Sequence, residues 1–405
     1  MPTADQLLSA DEAAALLGVK KATLYTYVSR GLLRRVQGND GRTRRYLRDD
    51  VLRLKERSSA RSGQAAVAIE ASRWGQPVLD TAIAELDQGR VSLRGHALSA
   101  LIGRGATFES ITALLWEEEA DTDWPVPDPP PSHIWAAQRR LDRLSLAIAA
   151  DAAQDLLRFG AQPAAERLRA RRLCRVLACA AAPSPEQAAR AADAGSVAAV
   201  LSVAFSGSAA LAPQLDRALC CCAEHGLDVS TYAARVTAST GADLHASLLA
   251  GLAALSGPSQ AGTCDRIAAW LRGLAMDPMP PEVVIGQQLA RGEAIPGFSD
   301  DGTPGNDPRA SLLLSAARAA DRTGGVATQL VDAVTGAAEA RGYPPPGLAL
   351  ALVALCQSLS LPGDAAATIL AVARVAGWTA HIQEQRTRDG VIQPRGRYTG
   401  PAASL

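Results

Sequence analysis

The densest group of side chains that could bind a charged partner lies near the N-terminus. Between residues 20 and 57 the sequence has twelve lysines and arginines and four aspartates and glutamates, a net charge of +8, although the whole chain is neutral. Ammonium and guanidinium groups at this density are typical of a surface that binds phosphates. The asymmetry predicts that the N-terminal end binds a polyanion. The rest of the chain is predicted to be an acidic body.

Two short helices joined through a glycine turn are predicted to position these charges. Ser9 precedes two acidic residues, which is the pattern of an N-cap with acids in the first turn, and Gly18 ends the helix. A second helix is predicted over residues 20–30, with Gly31 as its C′ residue. Two helices joined in this way form a helix-turn-helix. From the second helix we expect DNA contacts by Lys20, Lys21, Thr23, Tyr25 and Thr26.

A β-hairpin is predicted to follow the two helices. Residues 33–36 and 42–47 are short strand-like runs, and the turn residues Gln37-Gly38-Asn39-Asp40-Gly41 separate them. Arg42, Arg44 and Arg45 on this wing could reach phosphates or the minor groove, while the second helix suits the major groove. The whole pattern resembles the MerR-type and excisionase-type winged helix-turn-helix family. The resemblance implies binding to double-stranded DNA.

Other potentially reactive side chains show no ligand spacing. The five histidines, which are His96, His133, His225, His245 and His381, are widely spread. Seven cysteines are an odd number and include no metal-binding pair, so we interpret them as reduced thiols buried in helices, with a redox role as the alternative. The stretch Ser299 to Gly305 lacks the lysine of a phosphate-binding loop. We predict no metal site.

The body beyond residue 77 is predicted to be helical, because Ala, Leu and Arg dominate segments of about 10 to 20 residues that Gly and Pro separate. Several of its motifs resemble those of the citrate synthase family. They are Arg94-Gly95-His96, Glu224-His225-Gly226-Leu227-Asp228-Val229-Ser230-Thr231-Tyr232-Ala233-Ala234-Arg235, Gly257-Pro258, Asp307-Pro308-Arg309-Ala310, Ala373-Arg374, Gly377-Trp378-Thr379-Ala380-His381 and Pro394-Arg395. The resemblance runs to the C-terminus and implies that family's fold, with a large and a small domain.

The resemblance also implies a ligand site. In this family arginines and a histidine hold oxaloacetate, a carboxylate removes a proton from acetyl-CoA, and two histidines stabilise the developing oxyanions. We expect the ligand-binding positions to be His225, Arg309, Arg374 and Arg395, although Gln393 stands where the family's last substrate arginine is implied. The alternative is that His225, Arg309 and Arg374 form ordinary interhelical salt bridges.

The positions of the reactive groups depart from the family pattern. Gln260 replaces the histidine of the G-P-x-H-G-G loop, Asp300 falls at the second histidine, and Gly347 falls at the catalytic aspartate. An amide can still donate a hydrogen bond, but an ionised carboxylate cannot. No Asp or Glu occurs between Glu339 and Asp364, so a small shift of register does not restore the base. No catalytic residue is therefore predicted to be intact.

Three hypotheses follow from these motifs. The first is a homodimeric DNA-binding transcriptional regulator whose body binds a di- or tricarboxylate or an acyl-CoA and has lost catalysis. The second is an acyltransferase that condenses acetyl-CoA or propionyl-CoA with oxaloacetate to citrate or 2-methylcitrate. The third is a structural partner of an active citrate synthase subunit. No covalently bound cofactor is predicted, and acyl-CoA, oxaloacetate and citrate are the expected ligands.

The predicted fold class is mainly α. We divide the chain into a winged helix-turn-helix domain over residues 1–60, a connector over 61–76, and a citrate-synthase-like body over 77–405, in which the small subdomain covers roughly 258–365. The longest apolar run, Leu348 to Cys356, is about half of a bilayer span. Without a recognisable leader, a cytoplasmic location with no membrane contact is expected.

Overall fold

The structure is a computed structural model of the 405-residue chain. It describes residues 7–9, 13, 35–37, 44–47, 51, 79–87, 89–119, 123–160, 162–298, 307–393 and 400. The chain divides into two compact units, Met1–Asp80 and Thr81–Leu405. The finer division into a connector and a small subdomain stays a prediction.

A three-stranded antiparallel sheet lies in the N-terminal unit. Its strands are β1 (Leu7–Leu8), β2 (Arg35–Gln37) and β3 (Arg44–Leu47), in the order β1-β3-β2. The pairing of β2 with β3 in the register Val36↔Arg45 confirms the predicted hairpin. Tyr46 is fully buried, so the sheet has its own packed side.

The two predicted helices of this unit lie almost entirely outside the described residues. Ala13 is helical, and its N–H donates to the carbonyl of Ser9 at 2.9 Å, as expected for a helix that begins at Ser9. Val51, after the hairpin, is helical and buried.

A second small sheet begins the body, where helices alone were predicted. Its strands are β4 (Ala84–Asp87), β5 (Arg90–Leu93) and β6 (His96–Ala97), all antiparallel. Val91 and Leu93 alternate with more exposed residues and face the core, and Gly95 adopts φ +80 in the turn into β6. Strands of two to four residues are too short to show a clear period, which explains why the sequence did not reveal them.

From Leu98 onward the described body is helical, as predicted. The first helices are α1 (Leu98–Gly103), α2 (Phe108–Trp116), α3 (Arg140–Gln154), α4 (Pro163–Ala180), α5 (Pro185–Ala192), α6 (Val197–Ser206) and α7 (Ala212–Cys222). The later helices are α8 (Val229–Ser239), α9 (Leu244–Leu255), α10 (Gly262–Met276), α11 (Pro281–Ala290), α12 (Pro308–Ala319), α13 (Val326–Glu339), α14 (Leu348–Ser358) and α15 (Ala365–Arg386). Short 3₁₀ turns occur at Ser132–Ala136 and Ala209–Leu211.

The helix α15 runs through the middle of the body. It packs against α4, α7, α8 and α9, and nearly all its side chains are buried, including Trp378 at 0% exposure. It is long and apolar enough to cross a membrane, but 94% of its apolar window is buried inside the protein, as for a core helix.

A glycine sets how closely α15 approaches the end of α7. The Gly377 N–H donates to the carbonyl of Ala223 at 3.1 Å, and a Cβ at residue 377 would lie 2.5 Å from that oxygen. Only glycine permits this approach. It brings Arg374, one turn earlier on α15, beside the loop that connects α7 to α8.

Candidate functional site

A cavity of about 130 Å³ lies where several helices of the body begin. His225 reaches it from the loop before α8, Gln260 from the turn before α10, and Arg374 from α15. Leu348 and Leu352 of α14 form an apolar side. The cavity is smaller than the roughly 300 to 1,000 Å³ of typical drug-sized sites and so suits a small ligand.

Arg374 is the cation of this cavity. It is 1% exposed, and its Nη2 donates to Asp228 Oδ1 at 3.0 Å and to Thr231 Oγ1. The guanidinium also lies 5.7 Å from the centre of the Trp378 ring. Nε and Nη1 are buried without a hydrogen-bond partner among the described residues. Buried unpaired donors are costly, by about 1 to 3 kcal/mol and more when charged, so Arg374 is suited to bind an acceptor that enters the cavity.

Asp228 is the carboxylate of the cavity. It is the N-cap of α8, and its Oδ1 accepts from the Thr231 N–H and the Ser230 hydroxyl, each at 2.8 Å. Burial alone would raise its pKa, but Arg374 and the hydrogen bonds from Thr231 hold the pKa of Asp228 below its usual range. The sequence motif contained this residue, but nothing in its spacing assigned it to the site.

His225 is neutral at pH 7. Burial and the two nearby guanidinium groups of Arg309 and Arg374 lower the pKa of its imidazole to about 4, against the opposing effect of Asp228 and Asp307. The ring is only half-buried by surface area because it borders the cavity, but protein surrounds it on its other sides. A neutral imidazole can donate one hydrogen bond to a ligand oxygen.

Arg309 lies beside the cavity but does not line it. Its side chain is fully buried, with Nη2 2.7 Å and Nε 3.0 Å from Asp307 Oδ2, and Nη1 donates to the carbonyl of Glu224 at 2.8 Å. Through these bonds Arg309 and Asp307 hold the start of α12 against the end of α7. The structure therefore brings Arg309 close to His225, and each of its guanidinium nitrogens already has a protein partner.

A buried polar network supports the loop that carries His225. Glu224 Oε1 lies 3.1 Å from His381 Nε2 and accepts from the Gly226 N–H at 2.6 Å. Arg235 Nη1 lies 3.2 Å from His381 Nδ1 and 2.5 Å from Glu384 Oε2. Burial opposes ionisation, yet His381 and Arg374 hold the pKa of Glu224 below its usual value. Sequence reasoning missed this network because its members come from distant motifs.

The positions at which the family's reactive groups are implied carry no carboxylate or imidazole at Gln260 and Gly347. Gln260 lines the cavity. Gly347 is the N-cap of α14 and presents no side chain, and its N–H donates to the carbonyl of Gly297 at 2.9 Å. A Cβ at residue 347 would lie 3.5 Å from that oxygen, an ordinary contact, so packing does not exclude a larger residue there. Among the described residues Asp228 is the only carboxylate that lines the cavity.

Several predicted site residues lie outside the described residues. Asp300 and Arg395 of the body are among them, as are Lys20, Lys21, Thr23, Tyr25, Thr26 and Arg42 of the N-terminal unit. Arg44 and Arg45 lie on β3, in the predicted wing, where they pair with Gln37 and Val36 of β2. The roles given to all of these residues stay predictions.

All seven cysteines are buried free thiols, as predicted from the sequence. Burial raises the pKa of Cys222 and of Cys264 to about 12, so neither is a thiolate nucleophile at neutral pH. In the part of the chain that the structure describes, no group of three His, Cys, Asp or Glu side chains could hold a metal ion.

Fold and site together define a mainly helical body with a cavity that a buried arginine lines, and a separate N-terminal unit. The sequence profile described as "Citrate synthase, C-terminal domain" matches residues 72–395, and the profile "Helix-turn-helix domain" matches residues 7–59. The chain belongs to the citrate synthase family and carries an N-terminal helix-turn-helix domain.

Curated relatives and solved structures agree with this assignment. The citrate synthase of Haloferax volcanii is 31% identical over 195 residues, 47% of this chain and 51% of the relative. The 2-methylcitrate synthase 1 of Corynebacterium glutamicum is 30% identical over 187 residues, 46% and 49%. The matches therefore span about half the length of these relatives.

The fold match covers more of the chain. The citrate synthase of Thermoplasma acidophilum, solved as a ternary complex with carboxymethyl coenzyme A and oxaloacetate, has a TM-score of 0.70 at 20% identity and covers 81% of this chain and 95% of that structure. The Thermotoga maritima citrate synthase has a TM-score of 0.67 at 21% identity, with coverage of 82% and 96%. At these identities the likeness concerns the fold.

Proposed function

We propose that this protein is a cytoplasmic DNA-binding regulator whose citrate-synthase-like body senses a small di- or tricarboxylate and has lost condensation chemistry. The observation that carries the proposal is Arg374, a buried cavity-lining guanidinium with two nitrogens that have no hydrogen-bond partner among the described residues. Guanidinium groups suit carboxylates, and neutral His225 can add one donor beside it. An acyl-CoA is the second candidate ligand.

The same cavity is poorly equipped for proton abstraction. A general base works best with a pKa near the operating pH. The pKa of Asp228 is held low, and its oxygens already accept from Arg374, Ser230 and Thr231. Gly347 has no side chain, and Gln260 offers an amide. The described part of the site therefore supports binding better than it supports catalysis.

An acyltransferase of the citrate synthase type is the second candidate function. The curated relatives are named citrate synthases or 2-methylcitrate synthases, and one structural neighbour was solved with carboxymethyl coenzyme A and oxaloacetate. Under this alternative the chain would condense acetyl-CoA or propionyl-CoA with oxaloacetate, using a base from outside the described residues. CoA release by the purified protein separates the two functions.

Homodimer formation is part of the proposal, and an exposed apolar segment supports it. Leu156, Leu157 and Phe159, just after α3, are 91%, 76% and 71% exposed. Exposed apolar residues clustered in this way are typical of interaction surfaces. A two-fold dimer would place two helix-turn-helix domains on a symmetric DNA site.

The double variant Leu156→Glu with Phe159→Glu tests this surface. It should sediment as a monomer, and a mass unchanged from the wild type would refute dimerisation through these residues.

Ligand control needs different affinities for two arrangements of the same protein. Closure of the body around a carboxylate in a dimer would change the spacing of the two DNA-binding domains.

A structural role as the partner of an active citrate synthase subunit is the remaining hypothesis. Copurification with such a subunit would single it out.

The test is DNA binding with and without ligand. Duplexes enriched by the protein from a random pool would be titrated in the presence of oxaloacetate, citrate, acetyl-CoA or buffer alone. At least one compound should shift the affinity, and Arg374→Lys should lose that shift while keeping the affinity measured without ligand. Arg318→Lys, on the surface beside Asp332, is the control that should keep the shift. Equal DNA affinity with every compound would count against the regulator.

A further inference from the structure

A second cavity of about 280 Å³ lies at the other end of α14 from Gly347. Helices α10, α13 and α14 and the segment before α15 surround it. Among the residues that the structure describes, it shares no lining residue with the cavity of His225 and Arg374. The two are therefore separate sites on the same helices.

The walls of the second cavity are mostly apolar. Leu271, Leu330, Val353 and Cys356 line it, and Leu271, Val353 and Cys356 are at most 4% exposed. Burial raises the pKa of the Cys356 thiol well above its ordinary value, so the thiol contributes an apolar surface and not a nucleophile. A ligand here would need an uncharged aliphatic portion.

One cation stands at the edge of this apolar space. Arg272 of α10 lines the cavity, and its guanidinium lies over Gly363, where a Cβ would come within 2.5 Å of Nη1. The neighbouring acid, Asp364, pairs with Arg140 instead. None of the ion pairs among the described residues includes Arg272, although Asp265 on the same helix interacts with it electrostatically. The exposed guanidinium is thus available to an anion whose tail enters the cavity.

We infer that this cavity binds an aliphatic monocarboxylate, with the tail among the apolar side chains and the carboxylate on Arg272. A cavity of about 280 Å³ has room for a short aliphatic chain, and we take an acid of about six carbons as the match. The charge of Arg272 and the apolar walls together select against two other classes, namely neutral aliphatic molecules and short dicarboxylates.

The probe is hexanoate, titrated into the full-length protein by calorimetry up to about 10 mM, an affinity range that suits a small ligand. Saturable binding is expected, and hexan-1-ol, which lacks the carboxylate, should bind at least about tenfold more weakly. Succinate should not compete with hexanoate. Equal binding of hexanoate and hexan-1-ol would overturn the assignment of a carboxylate.

Two variants locate the binding. Arg272→Gln should weaken hexanoate about tenfold by removing a charged hydrogen bond, and Ala327→Leu should weaken it by filling the cavity from α13. The controls are Arg291→Gln, a surface arginine paired with Glu293, and Ala340→Leu, an exposed alanine at the end of α13. Both controls should bind like the wild type. Absence of saturable binding, or binding unchanged in Arg272→Gln and Ala327→Leu, would overturn the inference.

Discussion

Asp228 Oδ1 and Arg374 Nη2 lie 3.0 Å apart across the candidate site, although 146 residues separate them in the sequence. The protein therefore supplies its own carboxylate to the arginine that we expect to bind a ligand. A ligand carboxylate must share Arg374 with Asp228, using Nε and Nη1, which no described residue binds, or displace Asp228. Removing the negative charge of Asp228 should favour binding of an anionic ligand.

The variant Asp228→Asn tests this competition. We expect oxaloacetate or citrate to bind about tenfold more tightly than to the wild type, because loss of a neighbouring charge is worth about 1 to 2 kcal/mol. Asparagine is also a good N-cap, so α8 should remain intact. Calorimetric titration measures the affinities.

Asp243→Asn is the matched control for this variant. Asp243 is likewise an N-cap, of α9, and accepts from the Ala246 N–H at 2.9 Å, but it does not line the cavity. Its substitution should leave ligand affinity unchanged. Weaker binding by Asp228→Asn than by the wild type would show that Asp228 assists the ligand and does not compete with it.

The protonation of His225 gives a prediction about pH. Its pKa is about 4 in the folded protein and 6.5 in an unfolded chain, so the folded state resists protonation. The imidazole therefore contributes stability that is present above pH 6.5 and is lost as the pH falls towards 4. Asp228 and Asp307 also favour the folded state at higher pH, because their pKa values are lowered.

A difference measurement isolates the histidine. The free energy of unfolding in urea should fall more steeply between pH 6.5 and about 4.5 for the wild type than for His225→Gln. By NMR, the His225 ring should not titrate near pH 6.5. A ring that titrates with a pKa of 6 to 7 would contradict the neutral donor that we assign to the site.

A carboxylate can be introduced at residue 347, where the family's catalytic aspartate is implied. Gly347→Asp should fold normally, because a Cβ there makes only an ordinary contact with Gly297 and aspartate is a suitable N-cap. Combined with Gln260→His, it should raise CoA release from acetyl-CoA and oxaloacetate above that of the wild type, since a general base is worth roughly 10²- to 10⁴-fold. Gly347→Asn with Gln260→His is the control without a base. If that control were as active as the aspartate variant, residue 347 would not be the position of the missing base.

The wing is expected to contact phosphates. Arg44→Ala with Arg45→Ala should weaken DNA binding and lower the slope of log K against log salt by about 1 to 2, because fewer counterions are released. Arg190→Ala, a substitution in α5 of the body, is the control with the same kind of charge loss. An unchanged salt slope in the wing variant would remove Arg44 and Arg45 from the contact.

Local patterns predicted much of the fold. The turn between 37 and 41 predicted the hairpin in which Arg45 pairs with Val36, and the glycine-punctuated pattern predicted the helices from Leu98 onward. The strands β4 to β6 were missed because each is at most four residues long, too short for a periodic signal.

The sequence predicted which residue types form the candidate site. It did not predict which side chains these residues pair with. The motifs identified His225 and Arg374, which the structure brings to one cavity. The pairing of Arg309 with Asp307 is visible in hindsight, since the two are neighbours at the start of α12. The pairs Asp228–Arg374 and Glu224–His381 are more than 140 residues apart, and only the packing of α15 against α7 and α8 brings them together.

Loss of condensation chemistry is the central claim, and CoA release tests it most directly. Purified protein, free of the host's citrate synthase, would be mixed with oxaloacetate and either acetyl-CoA or propionyl-CoA. We predict no release above the background given by Arg374→Ala. Turnover above about 1 s⁻¹, the lower end of usual enzyme rates, would contradict the account and establish the acyltransferase instead.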